Sequence, residues 1–142
     1  MSRDINAIFV VGAEDDPFAI VIRQNAKVQT IKFFSPLNSP QQIGLMSRPA
    51  GYVVQAHTHN EVVRTISITQ EVLVIRKGAC KVRIFDSALI FVEEISLVAG
   101  DTILLARGGH EIVMTSDCEI LEVKQGPYSA VEDKTHFKAE TE

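Results

Sequence analysis

Glu71-Val72-Leu73-Val74-Ile75-Arg76-Lys77-Gly78-Ala79-Cys80-Lys81-Val82-Arg83-Ile84-Phe85 is the stretch that decides the fold class. Two runs rich in apolar and β-branched residues flank Lys77-Gly78, where a glycine supplies the backbone angles that a tight reversal needs. Strand side chains alternate with period two, so Glu71, Leu73 and Ile75 share one face. The other face carries Val72 and Val74 and is apolar too. A strand apolar on both faces must be covered on both, by a second sheet or by a partner subunit. A homodimer is therefore expected.

The same rhythm runs along most of the chain. Strand-type segments are predicted at 5–11, 18–23, 28–34, 43–47, 52–57, 66–76, 79–85, 90–97, 101–105, 111–115 and 119–124. They are broken about every ten residues by turn formers such as Gly12, Asp15-Asp16-Pro17, Pro36 to Pro40, Pro49-Ala50-Gly51, Ala99-Gly100-Asp101 and Gly108-Gly109. No window of a dozen residues carries a helical period. An all-β sandwich or barrel follows.

With 142 residues the chain has room for one core. We expect a single domain over residues 1–128 and a polar, acidic C-terminal extension over 129–142, frayed at Ala139-Glu140-Thr141-Glu142. A hydrophobic share of 46% against 23% charged residues excludes extensive disorder. No apolar run approaches the roughly 20 residues that span a bilayer. Residues 1–6 lack the apolar core of a signal peptide, so a cytoplasmic location is expected. The two cysteines, Cys80 and Cys118, lie in apolar strand-like segments and are expected to be buried thiols in a reducing compartment. A net charge of −4 without a basic cluster argues against nucleic acid, leaving a small molecule or a protein as partner.

The chemistry gathers around His57-Thr58-His59. Histidines at i and i+2 of an extended segment project from one face and make a chelating pair. Val53 and Gln55 share that face. The other candidate donors are Glu71 and His110, with Glu61 and Gln70 as rivals of Glu71. The fourth histidine, His136, lies in the polar tail with no assigned role.

Gly51-Tyr-Val-Val-Gln-Ala-His57-Thr-His59 followed by Glu71-Val-Leu-Val-Ile-Arg-Lys-Gly78 resembles the first signature of the cupin superfamily: Gly, five residues, His-x-His, a gap, Glu, six residues, Gly. Gly100-Asp-Thr-Ile-Leu-Leu-Ala106-Arg-Gly108-Gly109-His110 resembles the second. The likeness covers about residues 44–124. It departs from the family in two places. Eleven residues separate His59 from Glu71 where the family usually has three or four, and Ala106 replaces a proline in a turn one residue short. The resemblance implies a conical double-stranded β-helix, a cupin or jelly-roll barrel of two antiparallel sheets. It also implies that His57, His59, Glu71 and His110 bind one divalent metal near its mouth. Imidazole and carboxylate donors suit Fe, Mn, Ni, Cu or Zn and do not choose among them.

Candidate catalytic groups beyond the metal ligands are Arg64, able to hold an anionic substrate, Gln55, Glu61 and Tyr128, with Tyr128 better placed to close one end of the fold. Arg107 reads as a surface charge, and Met46 and Met114 as core residues. No nucleophile motif and no phosphate-cradling glycine loop is present. The expected function is a metal-binding cupin acting on a small polar, sugar-like molecule by isomerase, epimerase or oxygenase chemistry. The alternative is a non-catalytic module that binds a small ligand or regulates.

Overall fold

The computed structural model describes residues 6–131 and 133–141. Met1 to Ile5 lie outside this range, and with them the predicted start of the first strand; so do Glu132 and Glu142 of the extension. The described residues form ten strands and no helix: β1 Ile8–Ala13, β2 Asp16–Ile22, β3 Ile31–Phe33, β4 Gly44–Met46, β5 Glu71–Lys77, β6 Ala79–Phe85, β7 Phe91–Val98, β8 Thr102–Leu105, β9 Gly109–Met114 and β10 Glu119–Lys124. The all-β expectation holds. The strands assemble as a five-stranded sheet in the order β1-β2-β8-β5-β10, a three-stranded sheet β7-β6-β9 and the hairpin β3-β4. Every pairing is antiparallel.

From β5 onward the chain passes back and forth between the two larger sheets, and their inner faces close on one another. Val11, Ala19, Val21, Leu73, Ile75, Ile103 and Leu105 of the larger sheet meet Cys80, Val82, Ile84, Ile95 and Leu97 of the smaller in one core. Each such aliphatic side chain contributes about 1.5–3 kcal/mol by leaving water. The outer face of the larger sheet is apolar as well. Ile20 and Leu104, opposite each other in the register, are fully buried. Further along that face Leu121 and Val123 of β10 stay half exposed.

Asp101 pins the corner between β7 and β8. It is 1% exposed, and its carboxylate accepts from Arg23 Nη1 at 3.0 Å, from the Gln24 N–H at 2.9 Å and from the Val98 N–H at 3.0 Å. One carboxylate thus ties the end of β2 to the turn that hands the chain back to the larger sheet.

Several expectations are corrected. Residues 52–57, predicted as a strand, have no strand partner, and the predicted strand at 66–76 pairs only from Glu71 onward. Alternation of side chains makes a segment strand-competent, but a ladder needs a second edge. Met46 and Met114 are 49% and 52% exposed rather than in the core, because each lies on a strand at the margin of its sheet. Arg107 is no loose surface charge. Its guanidinium donates to Asp16 Oδ1 at 2.7 Å and stacks 4.1 Å from the Phe18 ring centroid, latching the β1-β2 hairpin to the β8-β9 turn.

Both cysteines are free, Cys80 buried and Cys118 half-buried. Burial, reinforced by the neighbouring Cys118 sulfur, pushes the Cys80 thiol up to about 11. At pH 8 only about one Cys80 in a thousand is then a thiolate, the form that reacts. Iodoacetamide at pH 8 should leave Cys80 unlabelled in the native protein and label it promptly in guanidinium, as peptide mass mapping would show. Native labelling at the rate of a free thiol would contradict this environment.

Candidate functional site

Glu71 is the first residue of β5, and its alternating partners Leu73 and Ile75 enter the core. Its carboxylate therefore stands at the rim on the inward side. His110, second residue of β9, alternates with Ile112 and faces inward from the opposing sheet; it pairs in register with core residue Ile84. Gly108 and the short turn after β8 bring the two together, with His110 Nε2 3.3 Å from Glu71 Oε2. The contact with His110 holds the Glu71 carboxyl below the usual carboxylate range, outweighing the upward push of burial. Glu122 on β10, opposite Leu73 in register, lies beside Glu71. Burial first, and then the Glu71 charge, push the Glu122 carboxyl up, so Glu122 keeps its proton to higher pH than an ordinary glutamate does.

A cavity of about 570 Å³ opens at this rim, lined by Glu71, His110, Glu111, Ile112 and the C-terminal residues Asp133 to Phe137. The C-terminal extension is thus not a loose surface tail over its described length. Lys124 Nζ holds Asp133 Oδ2 at 2.7 Å, and the Phe137 ring packs edge-on to Phe85 with centroids 5.2 Å apart. That ring sits so close to Gly109 that a Cβ there would meet it at 2.7 Å. Folding back in this way puts His136 on the cavity wall, a residue that sequence reasoning left without a role. The signal was Phe137, the one aromatic residue in an otherwise polar segment and a natural anchor.

His57 and His59 do not reach this place. They lie in residues 49–69, all of them exposed. The pair does share one side, with ring centroids 5.3 Å apart. The Gln55 carbonyl lies 2.7 Å from His57 Nδ1, and because a carbonyl only accepts, Nδ1 carries a proton, which in the neutral ring leaves the lone pair on Nε2. This is the tautomer a metal would need at Nε2. Arg64 and Glu61 are exposed on the same arm, and Gln55 contributes its backbone, not its side chain, to the histidine. Tyr128 is 74% exposed, its ring 5.6 Å from Lys124 Nζ.

Gln70 is removed as a rival ligand. It is 4% exposed, and its side chain is consumed by structure. Oε1 accepts from Ser39 Oγ and the Gln41 N–H, and Nε2 donates to the Ala106 carbonyl at 3.2 Å. Its own N–H donates to Gln125 Oε1 at 2.7 Å. Gln70 anchors the C-terminal end of the exposed arm.

Among the described residues no three histidine, cysteine or acidic side chains come close enough to hold a metal. The donor chemistry fits a divalent ion, but within one chain it is split into two halves: His57 with His59, and Glu71 with His110. Among the described residues no helix is long and apolar enough to cross a membrane. Compared with family models, curated proteins and solved structures, the chain matches none.

Proposed function

We propose that this protein is a metal-binding cupin that acts on a small polar molecule, with its two larger sheets forming a jelly-roll scaffold short of one strand. The observation that carries the reading is the meeting of Glu71 and His110. Thirty-nine positions apart and in opposing sheets, they converge at 3.3 Å on the rim of a cavity, and both are residues that the two cupin-like signatures single out. The ligand set is His57, His59, Glu71 and His110, and the ion one of Fe, Mn, Ni, Cu or Zn.

The lining favours an enzyme over a passive binding module. Beyond the proposed ligands the cavity presents Glu111, Asp133, Lys134, Thr135 and His136, a wall suited to hydroxyl and carbonyl groups of a sugar-like substrate. Isomerase, epimerase or oxygenase chemistry on such a substrate is the class of activity we assign.

Elemental analysis of protein purified without added metal tests the reading. About one divalent ion per chain is expected, and His57→Ala or His110→Ala should weaken binding by roughly 100-fold or more. Substoichiometric metal that neither substitution changes would overturn it.

A further inference from the structure

We infer that the exposed arm of residues 49–69 docks as a strand on a second copy of this chain and delivers His57 and His59 to that copy's Glu71 and His110. The inference rests on the metal-binding reading only for what the docked histidines do; the docking itself stands on other observations.

Among the described residues the arm's backbone is tied to the rest of the chain only near its two ends. The Ser47 N–H donates to Thr30 O and the Tyr52 N–H to Pro49 O, while Gln70 is held by Gln125 and Ala106. Among the described residues no backbone group from Val53 to Thr69 bonds to the two sheets. Yet this stretch is not a polar loop. Tyr52, Val53, Val54, Val62, Val63 and Ile66 are all 42% exposed or more, Val63 at 98%. An extended apolar segment with unpaired backbone groups is a strand awaiting an edge.

The edge is β9, the last strand of the three-stranded sheet. Its inward side chains are His110, Ile112 and Met114, since they pair with the core residues Ile84, Val82 and Cys80. Met114 lies on this inner face and is nonetheless 52% exposed, because among the described residues no strand pairs with β9 on its other side, and the C-terminal segment reaches only its opposite end, around Gly109 to Ile112. The arm's face Val53, Gln55, His57 matches that row when run antiparallel: apolar Val53 beside Met114, Gln55 beside Ile112, His57 beside His110. Cross-strand neighbours stand about 5 Å apart, which sets the two histidines around the Glu71-His110 pair.

A second copy is the occupant because of reach and size. The arm is a loop of about twenty residues whose two legs can each reach some 30 Å, the breadth of a small domain. It matches the roughly 20–30 residues that each side of a standard interface contributes. Each copy offers one arm and one free β9 edge, so reciprocal docking closes as a two-fold dimer with nothing left over. The eleven-residue gap between His59 and Glu71 is then the return leg of the arm.

Two measurements test the inference. Light scattering on the full chain should give twice the chain mass of 15.7 kDa, and replacing residues 52–66 with a short Gly-Ser linker should give a folded monomer by circular dichroism. A monomeric unmutated chain, or a dimer that survives loss of the arm, overturns the exchange whatever the protein does with metal. Next, His57→Ala/His59→Ala chains are co-expressed in equal amounts with Glu71→Ala/His110→Ala chains, and cobalt(II) alone is the probe, read by its visible absorption. Neither variant alone should show the band. The mixture should recover about one quarter of the unmutated signal, since half the dimers are mixed and each mixed dimer holds one complete site. No recovery, with the unmutated protein binding cobalt, places all four ligands in one chain and overturns the exchange. An arm-dependent dimer that binds no cobalt even unmutated removes the metal reading and leaves the docked arm standing.

Discussion

Asp101→Ala is expected to lower the free energy of unfolding by about 3–5 kcal/mol, the range for removing one partner of a buried pair. The carboxylate is the shared acceptor for Arg23, Gln24 and Val98. Arg23 keeps a bond to the Ser96 carbonyl and some contact with solvent, its side chain being 18% exposed, which holds its share of the loss to the lower part of that range. The rest comes from the Gln24 and Val98 N–H groups, left without their acceptor at a partly buried corner, at up to about 1–3 kcal/mol each. Asp101→Asn preserves volume but turns an amide NH₂ toward one of three donors, so an intermediate loss of about 2 kcal/mol is expected. Urea unfolding reads both substitutions as a lower midpoint at unchanged slope, and melting should fall by on the order of 10 °C for alanine. A loss under about 1 kcal/mol for Asp101→Ala would show that the corner does not depend on the carboxylate.

Gly78→Ala should cost a similar amount by a different route. Gly78 turns the chain from β5 into β6 with φ +77°, a conformation that costs a residue with a Cβ about 1–2 kcal/mol. The added Cβ would also stand 1.9 Å from the Asp117 carbonyl oxygen. That atom belongs to the backbone of the β9-β10 turn and cannot rotate away, so both turns must shift, adding about 1–3 kcal/mol. Gly51→Ala is the control. Its φ is +85°, but an added Cβ there meets nothing within 4 Å, so only the conformational cost of about 1–2 kcal/mol applies, and less where the exposed arm can relax. Equal losses at the two glycines, measured by denaturant unfolding, would refute the steric part of the account.

Gly78 also shows how much of the fold was legible in the chain. The seven-position step from Glu71 to Gly78 is the length of β5, from a carboxylate at the rim to the bend that must clear Asp117. The strand positions of β6, β7, β8 and β10 were legible because alternation and turn chemistry are local. The lengths of β3 and β5 were not, since the β-branched alternation at 28–30 and 66–70 looks strand-like whether or not an edge lies beside it. Half of the candidate site was legible in the same local sense: His57 and His59 face one side, as a period of two requires. The role of Gln70 was hidden, because its partners Ser39, Gln41, Ala106 and Gln125 come from four separate parts of the chain. So was the return of the C-terminal segment, which depends on a seat for Phe137 between Phe85 and Gly109.

The sequence by itself determined an all-β chain with an inward-alternating Glu71, a His57-His59 pair on one side of its segment and turns at Gly78, Gly100 and Gly108. These follow from backbone geometry that each residue shares only with its neighbours. Only the tertiary structure decided that His110 meets Glu71, that Glu122 and His136 join them at the rim, and that the histidine arm stands clear of its own sheets. Which strand edge remains free depends on every pairing in the fold together, and no single stretch of sequence carries that sum.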